Sequence, residues 1–354
     1  MNQIDQFLRQ LISSNGSDLH LIAGQPPRAR VYGELMPLRS EPLGTDETKE
    51  ILVEIMSDKQ RTEFDDSDAV DFAYAVEDVA RFRVNVFRHL GGMGCVMRAI
   101  PSQAKSLAEL KLPGVIKSLC RHTQGLILVT GKTGSGKSTT LAAMIDEINS
   151  TISGHILTIE DPIEFVHQQK RCLISQRELG VHTPSFAKAL HSGLREDPDV
   201  ILVGEMRDLE TISIAVTAAE MGILVMGTLH TNGAGATVDR IVNMFPSQKQ
   251  NHVRTMLSTS LRGVISQQLV PRNGENGLVA ALEILVNTSA VANIIRQGKL
   301  DQLESTMQGG RRQGMISMDS ALKDMLSKGL ITGQAAYEAA IEKRSFQDVK
   351  DLTT

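Results

Sequence analysis

Apolar residues along this chain follow two rhythms, and the change between them falls near residue 100. At the start, Ile4, Phe7, Leu8, Leu11 and Ile12 recur at i, i+3, i+4, i+7 and i+8, the spacing of an amphipathic helix that ends near Asn15-Gly16. From about Asp18 to Ile100 the pattern is mostly strand-like, with one helix expected around Thr45 to Ser57. Phe82, Val84 and Val86 alternate with Arg81, Arg83 and Asn85, which predicts a half-buried strand with an arginine face. Gly91-Gly92 then turns the chain into a second strand, Cys95 to Ile100. Residues 1–100 thus read as a small α+β domain.

Residues 101–120, with Pro101 and Pro113-Gly114, read as a linker. After it, apolar strands alternate with helices. Strands are expected at Leu126–Thr130, His155–Glu160, Val200–Glu205 and Ile223–His230, and helices at Thr139–Ile148, Ser185–Leu194 and Leu209–Met221. Alternation of this kind predicts an α/β domain over 121–287 with a mostly parallel sheet. Val253 to Gln268 reads as a longer helix, and Arg272 to Gly277 as a turn between strand-like stretches. From 288 to 354 the pattern is helical, broken at Gly309-Gly310 and Gly329.

The first strand of this second part leads into Gly131-Lys132-Thr133-Gly134-Ser135-Gly136-Lys137-Ser138, followed by Thr139, a full match to G-x-x-x-x-G-K-[ST]. Glycines let backbone N–H groups close around phosphate oxygens, the lysine reaches the β/γ-phosphates, and the serine hydroxyl can ligate Mg²⁺. A strand, a glycine loop and a helix N-terminus in succession supply what such an anion site requires. The expected ligand is therefore ATP with Mg²⁺.

Totals narrow the function further. A net charge of −4, three tyrosines and no tryptophan argue against a nucleic-acid translocase. Cys95, Cys120 and Cys172 stand alone, which argues against a zinc site or a disulfide framework and fits a reducing cytoplasm. The N-terminus carries Asp5 and Arg9 and has no signal-peptide pattern. No apolar run is long enough to span a membrane, so any membrane connection is expected to go through a partner.

Hydrolysis needs more than a phosphate loop. The second strand ends in Glu160-Asp161-Pro162-Ile163-Glu164, and the third runs Asp199 to Gly204-Glu205. Carboxylates at the C-terminal ends of parallel strands lie where an open α/β sheet gathers its ligands. Glu205 is the candidate to orient or polarise the attacking water. Gly204 stands where a metal-holding aspartate is usual, which leaves the metal to Ser138 and bound water, with Glu160, Asp161 and Glu164 as anchors through water. His230 ends the fourth strand, placed either to sense a γ-phosphate and link it to an acid or simply to satisfy a strand edge. In the first domain, Arg83 and Arg98 are candidates to stabilise charge on a transferred phosphoryl group, or are part of a solvated sheet face.

These residues together resemble the secretion ATPases of bacterial pili and type II secretion, and among them the type IV pilus retraction ATPases. The likeness runs through Ser17-Asp18-Leu19-His20-Leu21, Arg81 to Val86, the phosphate loop, Thr158 to Phe165 and Arg195 to Asp199, then Gly204-Glu205-Met206-Arg207-Asp208 and Gly227-Thr228-Leu229-His230-Thr231. It implies a PAS-like N-terminal domain, a RecA-like ATPase domain and a C-terminal helical region, assembled as a homohexamer. Glu205 would be the catalytic glutamate, and Arg83 and Arg98 would complete the nucleotide site. The implied partners are an inner-membrane pilus platform protein and a sister ATPase of the pilus machine, with the ring peripheral to the membrane on the cytoplasmic side. Assembly and export ATPases of the family are the rival; they generally carry a longer N-terminal region and a tetracysteine motif. Two departures stand out. Ile223 replaces a histidine, and Ala290 to Gln297 varies a C-terminal signature tied to retraction.

Overall fold

A computed structural model describes residues 2–100, 104–274 and 277–350. The chain forms two compact units, one of residues up to 100 with 164–166, the other of the remaining described residues. Residues 101–103 of the expected linker at 101–120, part of the turn at Arg272–Gly277 and the last four residues lie outside the described residues.

The first unit is one antiparallel sheet with helices against it. Its strands are β1 (Gly16–Ile22), β2 (Arg28–Val31), β3 (Glu34–Pro37), β4 (Ala69–Val76), β5 (Ala80–His89) and β6 (Gly92–Ile100), in the order β3-β2-β1-β6-β5-β4. Phe82, Val84 and Val86 are fully buried while Arg83 between them is exposed, so the alternation in the sequence is met. The helix Gln3–Ser13 buries Ile4, Phe7, Leu8 and Leu11, as its spacing requires. One correction concerns the region after Thr45. Two helices stand there, Thr45–Ile55 and Asp58–Ser67, because Ser57 caps the second by accepting from the Gln60 amide.

In the second unit seven strands make a mixed sheet: β7 (Gly125–Thr130), β8 (His155–Glu160), β9 (Leu173–Glu178), β10 (Val200–Val203), β11 (Leu224–Leu229), β12 (Leu261–Pro271) and β13 (Leu278–Val286). Their order is β13-β12-β7-β11-β10-β8-β9, with only β13 antiparallel to its neighbour. Every residue of β7, β10 and β11 is buried, the signature of strands covered by helices on both faces. Residues 104–120 belong to this unit: Leu107, Ile116, Leu119 and Cys120 join the core that holds Ile127 and Val129.

The expected helix Val253–Gln268 is corrected. The helix is Ser247–Ser260, and the chain then extends into β12, where Val264 pairs with Leu128 and Ile265 with Val129 of β7. Val253, Leu257, Leu261 and Val264 have helical spacing, but Gly263 and the pairing with both β7 and β13 decide for strand. Beyond the sheet, the helices Ser289–Gln297, Leu303–Gly309, Met318–Ser327 and Gly333–Ala339 make up the C-terminal region. Among the described residues no helix is long and apolar enough to cross a membrane.

Candidate functional site

Four neighbouring strands, β8, β10, β11 and β7, bring Glu160, Glu205, His230 and the phosphate loop to the same edge of the sheet. Register fixes this: Ile159 pairs with Val203, Val203 with Gly227, and Leu229 with Thr130. Parallel strands end together, so groups placed just after each one gather in the crevice at their C-terminal ends.

β7 is followed by the loop 131–136 and the helix Lys137–Thr151. Gly131 and Gly136 have φ of +141° and +85°, conformations that side chains other than glycine rarely adopt. Lys137 is buried, and its Nζ donates to the carbonyls of Gly131 and Lys132, each at 3.0 Å. That draws the loop around its own cation. Ser138 and Thr139 follow in the first helical turn, half-buried, where unpaired helix amides attract an anion.

Glu205 lies just beyond β10, with a side chain 19% exposed. Arg207 holds it bidentately, Nε to Oε1 and Nη2 to Oε2, both at 2.5 Å. His230 Nε2 stands 3.0 Å from Oε1. Burial pushes the Glu205 carboxyl up, but the Arg207 hydrogen bonds and charge, helped by His230, outweigh it and hold the group below its ordinary value. An ionised carboxylate can only accept, so His230 presents Nε2–H to it. In the neutral ring Nδ1 is then left as an acceptor, 3.5 Å from the Thr133 hydroxyl of the phosphate loop.

The backbone explains why the acid sits there. A Cβ on Gly204 would stand 3.1 Å from the Glu160 Cα and 3.2 Å from the Ile159 carbonyl oxygen, so an aspartate at 204 would need this backbone to give by a few tenths of an ångström. The Thr228 hydroxyl donates to the Gly204 carbonyl at 2.5 Å, and the Met206 amide donates to the Thr228 carbonyl at 3.0 Å. Asp208 caps the next helix, Leu209–Glu220, accepting from the Thr211 amide at 2.8 Å. Gly204 through Asp208 is therefore anchored at both ends.

Glu160 is buried and accepts from the Thr158 hydroxyl at 2.6 Å and from Gln176 Nε2 at 3.2 Å. Glu164 falls in the stretch assigned to the other unit. Among the described residues no group of three or more His, Cys, Asp or Glu side chains is arranged to hold a metal ion. The three cysteines are free and buried. In the first unit, Arg83 and Arg98 face each other directly across β5 and β6. Arg98 Nε donates to Asp18 Oδ1 at 2.8 Å, while Arg83 Nε lies 3.9 Å from Asp71.

Two residues escaped the sequence reading. One is Arg207, two residues after Glu205 in Gly204-Glu205-Met206-Arg207-Asp208, a spacing that is its signal in the sequence. Gln267, on β12, donates to the Ser135 carbonyl of the phosphate loop at 2.6 Å, but lies inside the stretch whose spacing reads as helix.

The sequence and the fold are shared with known proteins. The chain is 50% identical over 95% of its length to PilT of Pseudomonas aeruginosa, a type IV pilus retraction ATPase, and covers 98% of it. It is 51% identical over 92% of its length to the twitching motility protein of Neisseria gonorrhoeae, of which it covers 87%. The crystal structure of the pilus retraction motor PilT with bound ADP superposes with a TM-score of 0.90 at 45% identity, covering 98% of both chains. The model of the type II/IV secretion system protein family matches residues 1–343. With relatives this similar over nearly its whole length, this α/β chain belongs to the type II/IV secretion system protein family.

Proposed function

We propose that the chain is a homohexameric motor that hydrolyses ATP to ADP and phosphate and uses the work to retract type IV pili in twitching motility. The observation that carries this reading is the link from Glu205 through His230 to Thr133: the acid after β10 is tied to the phosphate loop after β7. The likeness to pilus retraction and twitching proteins supports the biological assignment.

Each residue has a task in this reading. The loop amides of 131–136 would surround the phosphates, and Lys137 would exchange its loop carbonyls for β/γ-oxygens. The donor set suits Mg²⁺: a serine hydroxyl at a helix N-terminus, with no cluster of protein acids among the described residues to replace water. Ser138 would hold it, with Glu160 and Glu164 as anchors through water; bound there, Mg²⁺ would neutralise charge on the β- and γ-oxygens. Glu205, ionised, would orient the attacking water and accept its proton. His230 would register the γ-phosphate through Thr133. Arg83 and Arg98 would stabilise the transferred phosphoryl charge.

The partners in this reading are an inner-membrane platform protein and a sister ATPase, with the ring cytoplasmic and peripheral to the membrane. Deletion of the gene tests it. Hyperpiliated cells that do not twitch are expected; bald cells would point instead to an assembly or export ATPase.

A further inference from the structure

Gln267 is 3% exposed, on β12 beside β7, and both ends of its amide are spent on the phosphate-loop segment. Nε2 donates to the Ser135 carbonyl at 2.6 Å, and Oε1 accepts from the Thr140 hydroxyl at 2.7 Å. Its own backbone approaches the loop as closely. A Cβ on Gly131 would stand 2.3 Å from the Gln267 carbonyl oxygen, and one on Gly136 would stand 2.6 Å from Nε2. The glycines at 131 and 136 therefore answer to Gln267 as well as to any phosphate.

The peptide plane gives this contact a consequence. In a trans peptide the carbonyl and the following N–H point in opposite directions. Gln267 fixes the Ser135 carbonyl towards its own side chain, so the Gly136 N–H is turned the other way, away from Gln267. Through Thr140 the same side chain ties the loop to the first turns of the helix Lys137–Thr151. A buried amide is tolerated only when both of its ends are satisfied, so the loop cannot leave this shape without orphaning Gln267.

We propose that Gln267 is a positioning residue for nucleotide: it holds the phosphate loop with its amides presented to the phosphates before nucleotide arrives. The proposal rests on the nucleotide-binding reading above. It acts through the loop and touches no reacting atom, so its loss should raise KM more than it lowers kcat.

The test measures MgADP binding by calorimetry, with thermal melting of the ligand-free protein as the control for folding. Gln267→Met keeps the length of the side chain and removes both hydrogen bonds. It should melt near the wild type yet bind MgADP roughly ten- to a hundredfold more weakly. Gln267→Glu supplies a second, chemical readout. As a carboxylate it would repel the Ser135 carbonyl; once protonated it can donate there and still accept from Thr140. Its affinity for MgADP should therefore recover as pH falls from 8 towards 6, a trend steeper than in the wild type and one that general loosening of the core would not produce. Wild-type affinity in a folded Gln267→Met protein, or a Gln267→Glu protein whose affinity follows the wild-type pH profile, would overturn the proposal. Failure of the wild type itself to bind MgADP would bring down the nucleotide reading first.

Discussion

Arg207 grips Glu205 with two hydrogen bonds of 2.5 Å from a position only two residues along the chain. The acid therefore carries its own cation on the same anchored segment, and that cation keeps it ionised against the pull of burial. Arg207→Ala should raise the Glu205 pKa towards and past its ordinary value. A water-positioning carboxylate must be ionised, so the acid limb of the ATPase pH profile should move to higher pH. Turnover at pH 6 should then fall more than turnover at pH 8. A profile that keeps its acid limb would show that Arg207 does not govern the ionisation that matters.

Replacing the acid itself separates binding from chemistry. Glu205→Ala frees His230 but removes no group of the phosphate loop itself, so it should retain MgATP while turnover drops by about 10² or more, the usual cost of losing such a group. Lys137→Ala should instead weaken binding. Radiolabelled ATP retention alongside phosphate release distinguishes the two variants. Near-normal hydrolysis by Glu205→Ala would assign water activation to another side chain.

What could be seen in advance depended on whether the signal was local. The phosphate loop, Glu205 and His230 were legible because each closes a strand whose apolar run is continuous in the sequence. The arginine face of β5 was legible because a half-buried strand alternates. β12 was not: Leu261, Val264 and Ile265 satisfy helical spacing, and only pairing with β7 and β13, set by residues far away in sequence, makes them a strand. Losing β12 meant losing Gln267. The absence of an aspartate at 204 was visible in the sequence, but the tight approach of Gly204 to the backbone of Glu160 was not.

Glu283 on β13 makes a different kind of joint. Its carboxylate accepts from the Ala234 amide at 2.7 Å and from the Met318 amide at 3.4 Å, the first residues of two helices, Ala234–Asn243 and Met318–Ser327. One side chain thus ties the helix that follows the His230 loop to the C-terminal region. Burial raises its pKa more than the two amides lower it. A carboxyl whose folded pKa is raised contributes stability that is complete below its ordinary value and is lost as pH rises through the folded value. In urea titrations the wild type should therefore gain on Glu283→Gln as pH falls through that window. A difference between the two proteins that does not vary with pH would refute the raised pKa.

The paired arginines of the first unit should respond unequally to removal. Among the described residues Arg83 has a loose partner, Asp71 at 3.9 Å, so Arg83→Ala should fold normally and lose ATPase activity alone. Arg98 also neutralises Asp18, whose side chain is 7% exposed. Burial pushes the Asp18 carboxyl up, but hydrogen bonds from Ser17 and Arg98 prevail and hold it below its ordinary value. Removing Arg98 leaves the Asp18 carboxylate with only its Ser17 hydrogen bond among those named, at a cost of about 1 kcal/mol, since the Arg98 side chain is 70% exposed and solvent screens the pair. The sign with pH follows: the Asp18 contribution is present above its unfolded pKa and is lost as pH falls through the depressed folded value. Arg98→Ala should bring that loss to higher pH, lowering stability at neutrality as well as activity. Denaturation midpoints compared with ATPase rates for the two variants check this, and equal midpoints would mean that Asp18 does not depend on Arg98.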